Sequence, residues 1–264
     1  MHDTPANTVL FKDEMSAQRT QTWNYRGVIG MMMFVATSSR PDIAFAVHQC
    51  AKFNTCPRKC HKEVVKRIGR YLRRTQHKGL ILKPDTTQQL TCYVDADFAG
   101  SFCRETSHIA SSILSRTGYV LTFSGCPKSW VSKMQTEIAL STTEAEYIAL
   151  SQSMRDLIPI RSILEELTTI LGLQIETPVT HSTVFEDNNG ALELAREPKY
   201  RPRTKHIAIK YHHFREHVKK KNIRIQKIDA KEQIADIFTK ALEKYQFEYF
   251  PKQTNGMVSF KILR

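Results

Sequence analysis

The spacing of apolar residues changes along the chain from a helical period to alternation. From residue 25 to about 75 the apolar positions follow helical spacing, in segments at 28–36, 43–53 and 58–74, a pattern typical of amphipathic helices. Pro41 and Pro57 precede the second and third segments, as expected for helix starts. The pattern predicts a polar tail or linker remnant over residues 1–24 and a helical segment over residues 25–82.

Alternation begins at Leu90 and predicts a strand over residues 90–98. Further strands are predicted at 109–114, 118–123 and 130–133, in an order typical of an antiparallel meander. Helices are then predicted at 141–157 and, past Pro159, to about 171, and at 190–195, 206–220 and 231–245, with strands at 183–186 and 223–228. This order predicts an α/β domain over residues 89–245, with helices packed on a mixed sheet, and a C-terminal tail over residues 246–264.

The net charge favours a polyanionic partner. The chain has 39 Lys and Arg residues against 26 Asp and Glu, a formal charge of +13. Hydrophobic residues make up 41% and charged residues 25%, which is ordinary for a globular protein and excludes the disordered, collagen-like and disulfide-scaffold classes. The longest apolar run, residues 28–36, is far shorter than the ~20 residues that span a bilayer, so we expect no membrane partner.

Two stretches are rich in basic side chains that could contact a nucleic acid. The predicted helix at 58–74 has an apolar stripe on one side, and its other side carries Lys59, Lys62, Lys66, Arg70, Arg73 and Arg74. The second stretch, residues 203–221, includes Lys205 and Arg215. A solvated charged face is the ordinary explanation of such runs, and contact with nucleic-acid phosphates is the alternative.

Carboxylates at the ends of predicted elements are the candidate chemistry. Asp95 and Asp97 fall on the same face of the first strand, and the alternation does not choose between them. Ser141 and Glu144 have the spacing of a capping box, which explains Glu144 structurally. Glu146 instead lies in line with the stripe that should face the sheet, where a carboxylate is costly unless it is paired or bound to a cation.

Two further carboxylates have ordinary explanations when each is taken alone. Asp187 lies where a strand passes into a helix, as an N-cap would. Asp236 lies on the polar edge of the last predicted helix, where a solvated side chain is the default. Together, the four acidic stretches would form the oxygen-rich site that hard divalent cations require. Such a site in a basic chain indicates a metal-dependent phosphodiester enzyme.

Several blocks of sequence share their residues and their order with a known family. They lie at 93–100, 117–120, 140–150, 186–191, 203–207 and 232–242. These blocks resemble the ribonuclease H domain of copia-type LTR retrotransposon Pol polyproteins. Upstream, residues 25–27, 40–47 and 67–72 resemble the thumb or connection region at the C-terminal end of the same polyproteins' reverse transcriptase. The resemblance extends over about residues 25–257.

The resemblance implies a ribonuclease H-like α/β fold, a mixed five-stranded sheet with flanking helices, preceded by a helical reverse-transcriptase remnant. It implies an endonuclease that hydrolyses the RNA strand of RNA–DNA hybrids during reverse transcription, with two Mg²⁺ ions that Mn²⁺ can replace. The family's catalytic and metal-ligating acids match Asp95, Glu146, Asp187 and Asp236, with Asp95 bridging the two ions. For Glu146 over Glu144, the motif and the capping box agree.

The implied partners are an RNA–DNA hybrid and the remainder of the reverse transcriptase. The residues expected to contact the hybrid are Lys62, Lys66, Arg70, Arg73, Lys205 and Arg215. Blocks for the polymerase palm and fingers are missing, so we expect no polymerase activity from this chain. The implied location is intracellular, in the cytoplasm within a virus-like particle or in the nucleus. The competing hypothesis is a catalytically silent nucleic-acid-binding fragment of the polyprotein.

Overall fold

The computed structural model of the chain describes residues 24–80, 82–85, 89–100, 102, 110–172, 182–196, 209–243 and 246–247. The predicted tails lie outside these residues apart from 24 and 246–247. The helices are α1 (Tyr25–Ser38), α2 (Ala44–Ala51), α3 (Lys59–Arg74), α4 (Ala110–Ile113), α5 (Thr142–Ile170), α6 (Asn189–Arg196), α7 (Arg215–Lys219) and α8 (Asp236–Thr239). The strands are β1 (Leu90–Asp97), β2 (Arg116–Phe123), β3 (Cys126–Met134), β4 (Ser182–Glu186) and β5 (Ile223–Lys227).

The strands form one mixed sheet in the order β3-β2-β1-β4-β5. β1, β2 and β3 pair antiparallel, as the predicted meander requires, while β4 pairs parallel to both β1 and β5. The β2–β3 hairpin turns at Ser124 and Gly125, both at positive φ, which matches the right-handed twist of the flanking strands. The predicted α/β fold, with a mixed five-stranded sheet and flanking helices, is confirmed.

Both faces of the sheet are covered, because alternate residues of β1 and β2 enter two different cores. Leu90, Cys92 and Val94 pack with Leu150 and other buried residues of α5. On the opposite face, Val120 packs with the helical segment α1–α3 and with α8. The edge at which β1 and β4 end therefore lies between α5 on one side and α8 on the other.

The helical segment α1–α3 is attached to the sheet by polar as well as apolar contacts. The Trp130 indole on β3 donates a hydrogen bond of 2.7 Å to the carbonyl of Ala36 on α1. Within the segment, the buried Arg40 guanidinium bonds the Asp42 carboxylate and the Thr75 carbonyl and hydroxyl. The segment therefore completes the core on this face, and the division at residues 82–89 stays a prediction.

Two predictions about the middle of the chain were wrong. The strand expected at 109–114 is instead the helical turn α4, with residue 109 outside the described part. β1 pairs directly with β2, from Leu90 with Phe123 to Asp97 with Arg116, so this sheet edge is already occupied. Pro159 does not end a helix, because α5 continues through it. Pro159 and Arg155 are exposed, so water can bond the carbonyl that the missing proline N–H leaves unpaired.

The two C-terminal helices are shorter than predicted. The described part of the 206–220 stretch forms a 3₁₀ turn, Ile209–His212, followed by α7. The 231–245 stretch forms a 3₁₀ turn, Ala230–Glu232, followed by α8. Between these last two elements, the buried Gln233 side chain donates to the carbonyl of Val94 and accepts from the N–H of Ala235. These contacts compete with helical hydrogen bonding and split the helix.

Candidate metal centre

Three carboxylates from three elements meet at one edge of the sheet. Asp95 lies near the end of β1, Asp187 directly after β4, and Glu146 in the first turns of α5. One carboxylate oxygen from each lies within 4.8 Å of the other two. Parallel pairing brings two of them together, since Tyr93 pairs with Phe185 and each acid lies two residues further along. These three carboxylates, here called the acidic cluster, are the group in the described residues that could hold a metal ion.

Glu144 and Glu146 have different surroundings, as the capping box predicted. The Ser141 hydroxyl accepts a 3.1 Å hydrogen bond from the Glu144 N–H, and the Glu144 carboxylate accepts one of 2.8 Å from the N–H of Leu140. Both side chains are buried, Glu144 at 8% and Glu146 at 7% exposure, but Oε2 of Glu146 is buried with no hydrogen-bond partner among the described residues. Glu144 therefore closes the N-terminus of α5, and Glu146 is directed into the cluster.

The structure separates Asp95 from Asp97. Asp95 is 1% exposed and belongs to the acidic cluster, whereas Asp97 is only half-buried and does not. Asp97 lies opposite Arg116 across the β1–β2 pair. Burial raises the pKa of Asp97 above its ordinary value. Of the two residues that alternation left open, Asp95 has the surroundings that a metal ligand needs.

Asp236 lies beside the cluster and shares a lysine with it. It is the first residue of α8, and the Lys240 ammonium lies 3.0 Å from its Oδ1 and 3.3 Å from Oδ1 of Asp95. The Thr239 hydroxyl donates to Oδ2 of Asp95. Sequence reasoning did not single out Thr239 or Lys240, although the spacing of three and four residues from Asp236 places them on adjacent turns.

A further buried acid, Glu186, was not predicted. It ends β4, is fully buried, and its Oε1 accepts a 3.1 Å hydrogen bond from the N–H of Asn188. Its Oε2 has no hydrogen-bond partner among the described residues. The alternation of β4 carries a signal for it, because Ser182, Val184 and Glu186 are the buried positions of that strand.

The carboxylates raise one another's pKa values. Burial, followed by repulsion from Glu186 and Asp95, raises the pKa of Glu146 well above its ordinary value. Burial and Asp95 likewise raise the pKa of Asp187, and raise that of Asp236 to about 7. Such a group of buried acids costs free energy unless a cation neutralises it. The oxygen donors and the unpartnered buried oxygen of Glu146 fit a hard divalent cation such as Mg²⁺.

The residues expected to contact nucleic acid lie in different surroundings. On α3, Lys66, Arg70 and Arg73 are exposed and Lys62 is half-buried. Lys205 lies outside the described residues. Arg215 is half-buried, donates a 2.8 Å hydrogen bond to the carbonyl of Leu194, and lies over the ring of Tyr147. Arg215 thus joins α7 to α6 and α5, and the nucleic-acid roles of these residues stay predictions.

Comparison with known proteins finds relatives among transposon polyproteins. It is 35% identical over 231 residues to the retrovirus-related Pol polyprotein from transposon RE1 of Arabidopsis thaliana, a match that covers 88% of this chain and 15% of that protein. It is 38% identical over 235 residues to the Pol polyprotein from transposon TNT 1-94 of Nicotiana tabacum, with coverages of 89% and 16%. No family model matches. The homologues of the chain are thus retrovirus-related Pol polyproteins from copia-type transposons, and the chain spans about 15% of their length.

A solved structure is also similar in part. It is the N-terminal RNase H domain of rv2228c from Mycobacterium tuberculosis, solved as a fusion with maltose-binding protein. The TM-score is 0.37 at 12% identity, and the similarity covers 63% of this chain and 98% of that one.

No helix in the described ranges has the length and apolar character needed to cross a membrane.

Proposed function

We propose that the chain is a Mg²⁺-dependent ribonuclease H, an endonuclease that hydrolyses the RNA strand of RNA–DNA hybrids during retrotransposon reverse transcription. The observation that carries the proposal is the meeting of Asp95, Glu146 and Asp187, from three separate elements, within 4.8 Å. Similarity to transposon Pol polyproteins supports it. The chain corresponds to only 15% of the length of the RE1 polyprotein. The same proposal therefore includes contact with the remainder of the reverse transcriptase. It also includes an intracellular site of action.

The residues divide into two ligand sets. Asp95, Glu146 and Asp187 would hold one divalent cation, and Asp95 with Asp236 a second, since one Lys240 ammonium already bonds an oxygen of each of these two residues. Bound there, Mg²⁺ or Mn²⁺ would activate a water and neutralise charge on the phosphate during an in-line displacement. The Thr239 hydroxyl orients Asp95 from its other oxygen.

The proposed substrate contact is the exposed basic side of α3. Lys66, Arg70 and Arg73 project from this helix into solvent, where they would neutralise backbone phosphates without reading sequence. Discrimination in favour of RNA would come from contacts with 2′-hydroxyl groups across the wide minor groove of the hybrid. Binding should therefore weaken steeply with salt and vary little with base sequence.

The test is cleavage of an end-labelled RNA–DNA hybrid with Mg²⁺, with Mn²⁺ and with EDTA. We expect wild type to cut the RNA strand with either ion, and Asp95→Asn to bind the hybrid without cutting it. Glu216→Gln is the matched control, because Glu216 is an exposed acid on α7 paired with Lys220. Wild-type protein that binds the hybrid and never cuts it would instead be the silent nucleic-acid-binding fragment.

A further inference from the structure

Lys240 lies at the edge of the acidic cluster and bonds two carboxylates at once. Its Nζ lies 3.0 Å from Oδ1 of Asp236 and 3.3 Å from Oδ1 of Asp95. The two acids are 14% and 1% exposed at their side chains, whereas the side chain of Lys240 is 42% exposed. The ammonium therefore reaches buried carboxylates from a position that stays open to solvent.

Lys240 brings a positive charge to this side of the cluster. A lysine side chain is ordinarily protonated at neutral pH, and this ammonium lies within 3.3 Å of an oxygen of Asp95 and of Asp236. Lys240 therefore partly neutralises acids that would otherwise repel one another.

Lys240 bonds one oxygen of each residue in the second ligand set, Asp95 and Asp236. An ammonium and a divalent cation cannot bond the same pair of carboxylate oxygens at close range without strong repulsion. Lys240 makes no ion pair with Glu146 or Asp187 in the described structure, so these two carboxylates of the first ligand set stay available to a cation.

We propose that Lys240 is a resident counter-ion that competes with the second divalent cation for Asp95 and Asp236, so that this side of the centre fills last and only when the ammonium withdraws. The inference rests on the proposed function, because it assumes two cation sites. The solvent exposure of the side chain supplies the route of withdrawal. Lys240 is accordingly a positioning residue, which acts through the ligands.

Thr239 makes the role of Lys240 separable from the placement of Asp95. The fully buried Thr239 hydroxyl donates to Oδ2 of Asp95, whereas Lys240 bonds Oδ1. Asp95 thus keeps one fixed hydrogen bond when the lysine leaves. A variant that lacks the ammonium should therefore fold, with its metal ligands still in place.

The experiment counts bound Mn²⁺ by electron paramagnetic resonance and measures Mn²⁺ and Mg²⁺ affinities by calorimetry. Lys240→Met should raise the affinity for the more weakly bound cation at least about tenfold and change the affinity for the more tightly bound cation by less than about threefold. It should also lower the melting temperature of the metal-free protein. Lys240→Arg, which keeps the charge, should restore the weak affinity. Lys227→Met is the control, because Lys227 is exposed and influences Asp187 only through space.

The outcomes separate the two claims. Tightening specific to Lys240→Met, or a second cation that binds only in this variant, supports the competition. Equal affinities in Lys240→Met and Lys227→Met, or weaker binding in the former, overturn it, and the proposed function survives if wild type still binds cations and cleaves hybrid. If neither wild type nor any variant binds a divalent cation, both claims fail.

Discussion

Replacing Glu146 or Glu144 by glutamine makes the same chemical change two residues apart on α5. We expect one variant to lose stability and keep cleavage activity, and the other to keep stability and lose cleavage activity. The Glu144 carboxylate accepts a hydrogen bond from the N–H of Leu140 at the helix N-terminus. Glu144→Gln weakens this bond and removes a negative charge that the helix dipole favours, at a cost of about 0.5–2 kcal/mol in unfolding free energy. For a chain of this size, each kcal/mol lowers the melting temperature by about 2–4 °C. Its cleavage activity should stay near that of wild type.

Glu146→Gln removes a charge that is unfavourable in the metal-free protein. Burial and the neighbouring acids raise the pKa of Glu146, and its Oε2 has no partner in the described structure. The metal-free variant should therefore melt at or above the wild-type temperature. The stabilisation by Mg²⁺, about 2.7 kcal/mol at a concentration 100 times the Kd, should be lost. Cleavage should fall by at least about a hundredfold, since loss of residues that merely support metal ligands costs about 10–100-fold.

The assay is thermal melting in EDTA and in saturating Mg²⁺, together with hybrid cleavage, for wild type and both variants. The informative quantity is the difference between the two melting temperatures of each protein. Glu144→Gln should melt at a lower temperature than wild type in EDTA but show the same rise on addition of Mg²⁺. Glu146→Gln should show no such rise. Equal loss of cleavage in the two variants, or a full Mg²⁺ shift in Glu146→Gln, would refute the assignment of one glutamate to the helix cap and the other to the metal.

Three further changes test other parts of the structure. Thr239→Val leaves Oδ2 of Asp95 without its donor and should lower the unfolding free energy in denaturant titrations by about 1–3 kcal/mol, with Thr239→Ser near wild type. Arg70→Gln with Arg73→Gln should reduce the slope of log affinity for hybrid against log salt by about 0.9 for each phosphate that the variant no longer neutralises; an unchanged slope would exclude this side of α3. Burial lowers the pKa of His48 from 6.5 to about 4. The free energy of unfolding that depends on neutral His48 is therefore fully present above pH 6.5, and it is lost as the pH falls from 6.5 through 4. His48→Gln should flatten this decline by about 1–3 kcal/mol relative to wild type, and parallel stability curves would count against it.

The parts of the site that were predictable are those fixed by short spacing. The capping box separated Glu144 from Glu146 because a helix N-terminus depends on residues three apart. The choice between Asp95 and Asp97 needed the motif or the fold, since both face the same way on β1. The closeness of Asp95 to Asp187 follows from the β1–β4 register, in which Tyr93 pairs with Phe185. Nothing local in either strand encodes that register.

The errors have the same origin in long-range contacts. The helix predicted at 231–245 is interrupted because the Gln233 side chain bonds the carbonyl of Val94, 139 residues away in sequence. Lys240 reads locally as one more basic residue, and only the fold brings Asp95 within 3.3 Å of it. Glu186 was overlooked beside Asp187, although its place on the buried side of β4 is visible in the alternation.

Because α1–α3 cover one face of the sheet, the position at which the chain can be truncated for expression is restricted. Val120 is fully buried in the core that these helices share with the sheet, and Tyr93 and Trp130 pack against that core. A shortened chain starting at residue 89 would present this apolar surface to water and would tend to self-associate. The α/β part should therefore be expressed, and compared across transposons, together with the helices that precede it.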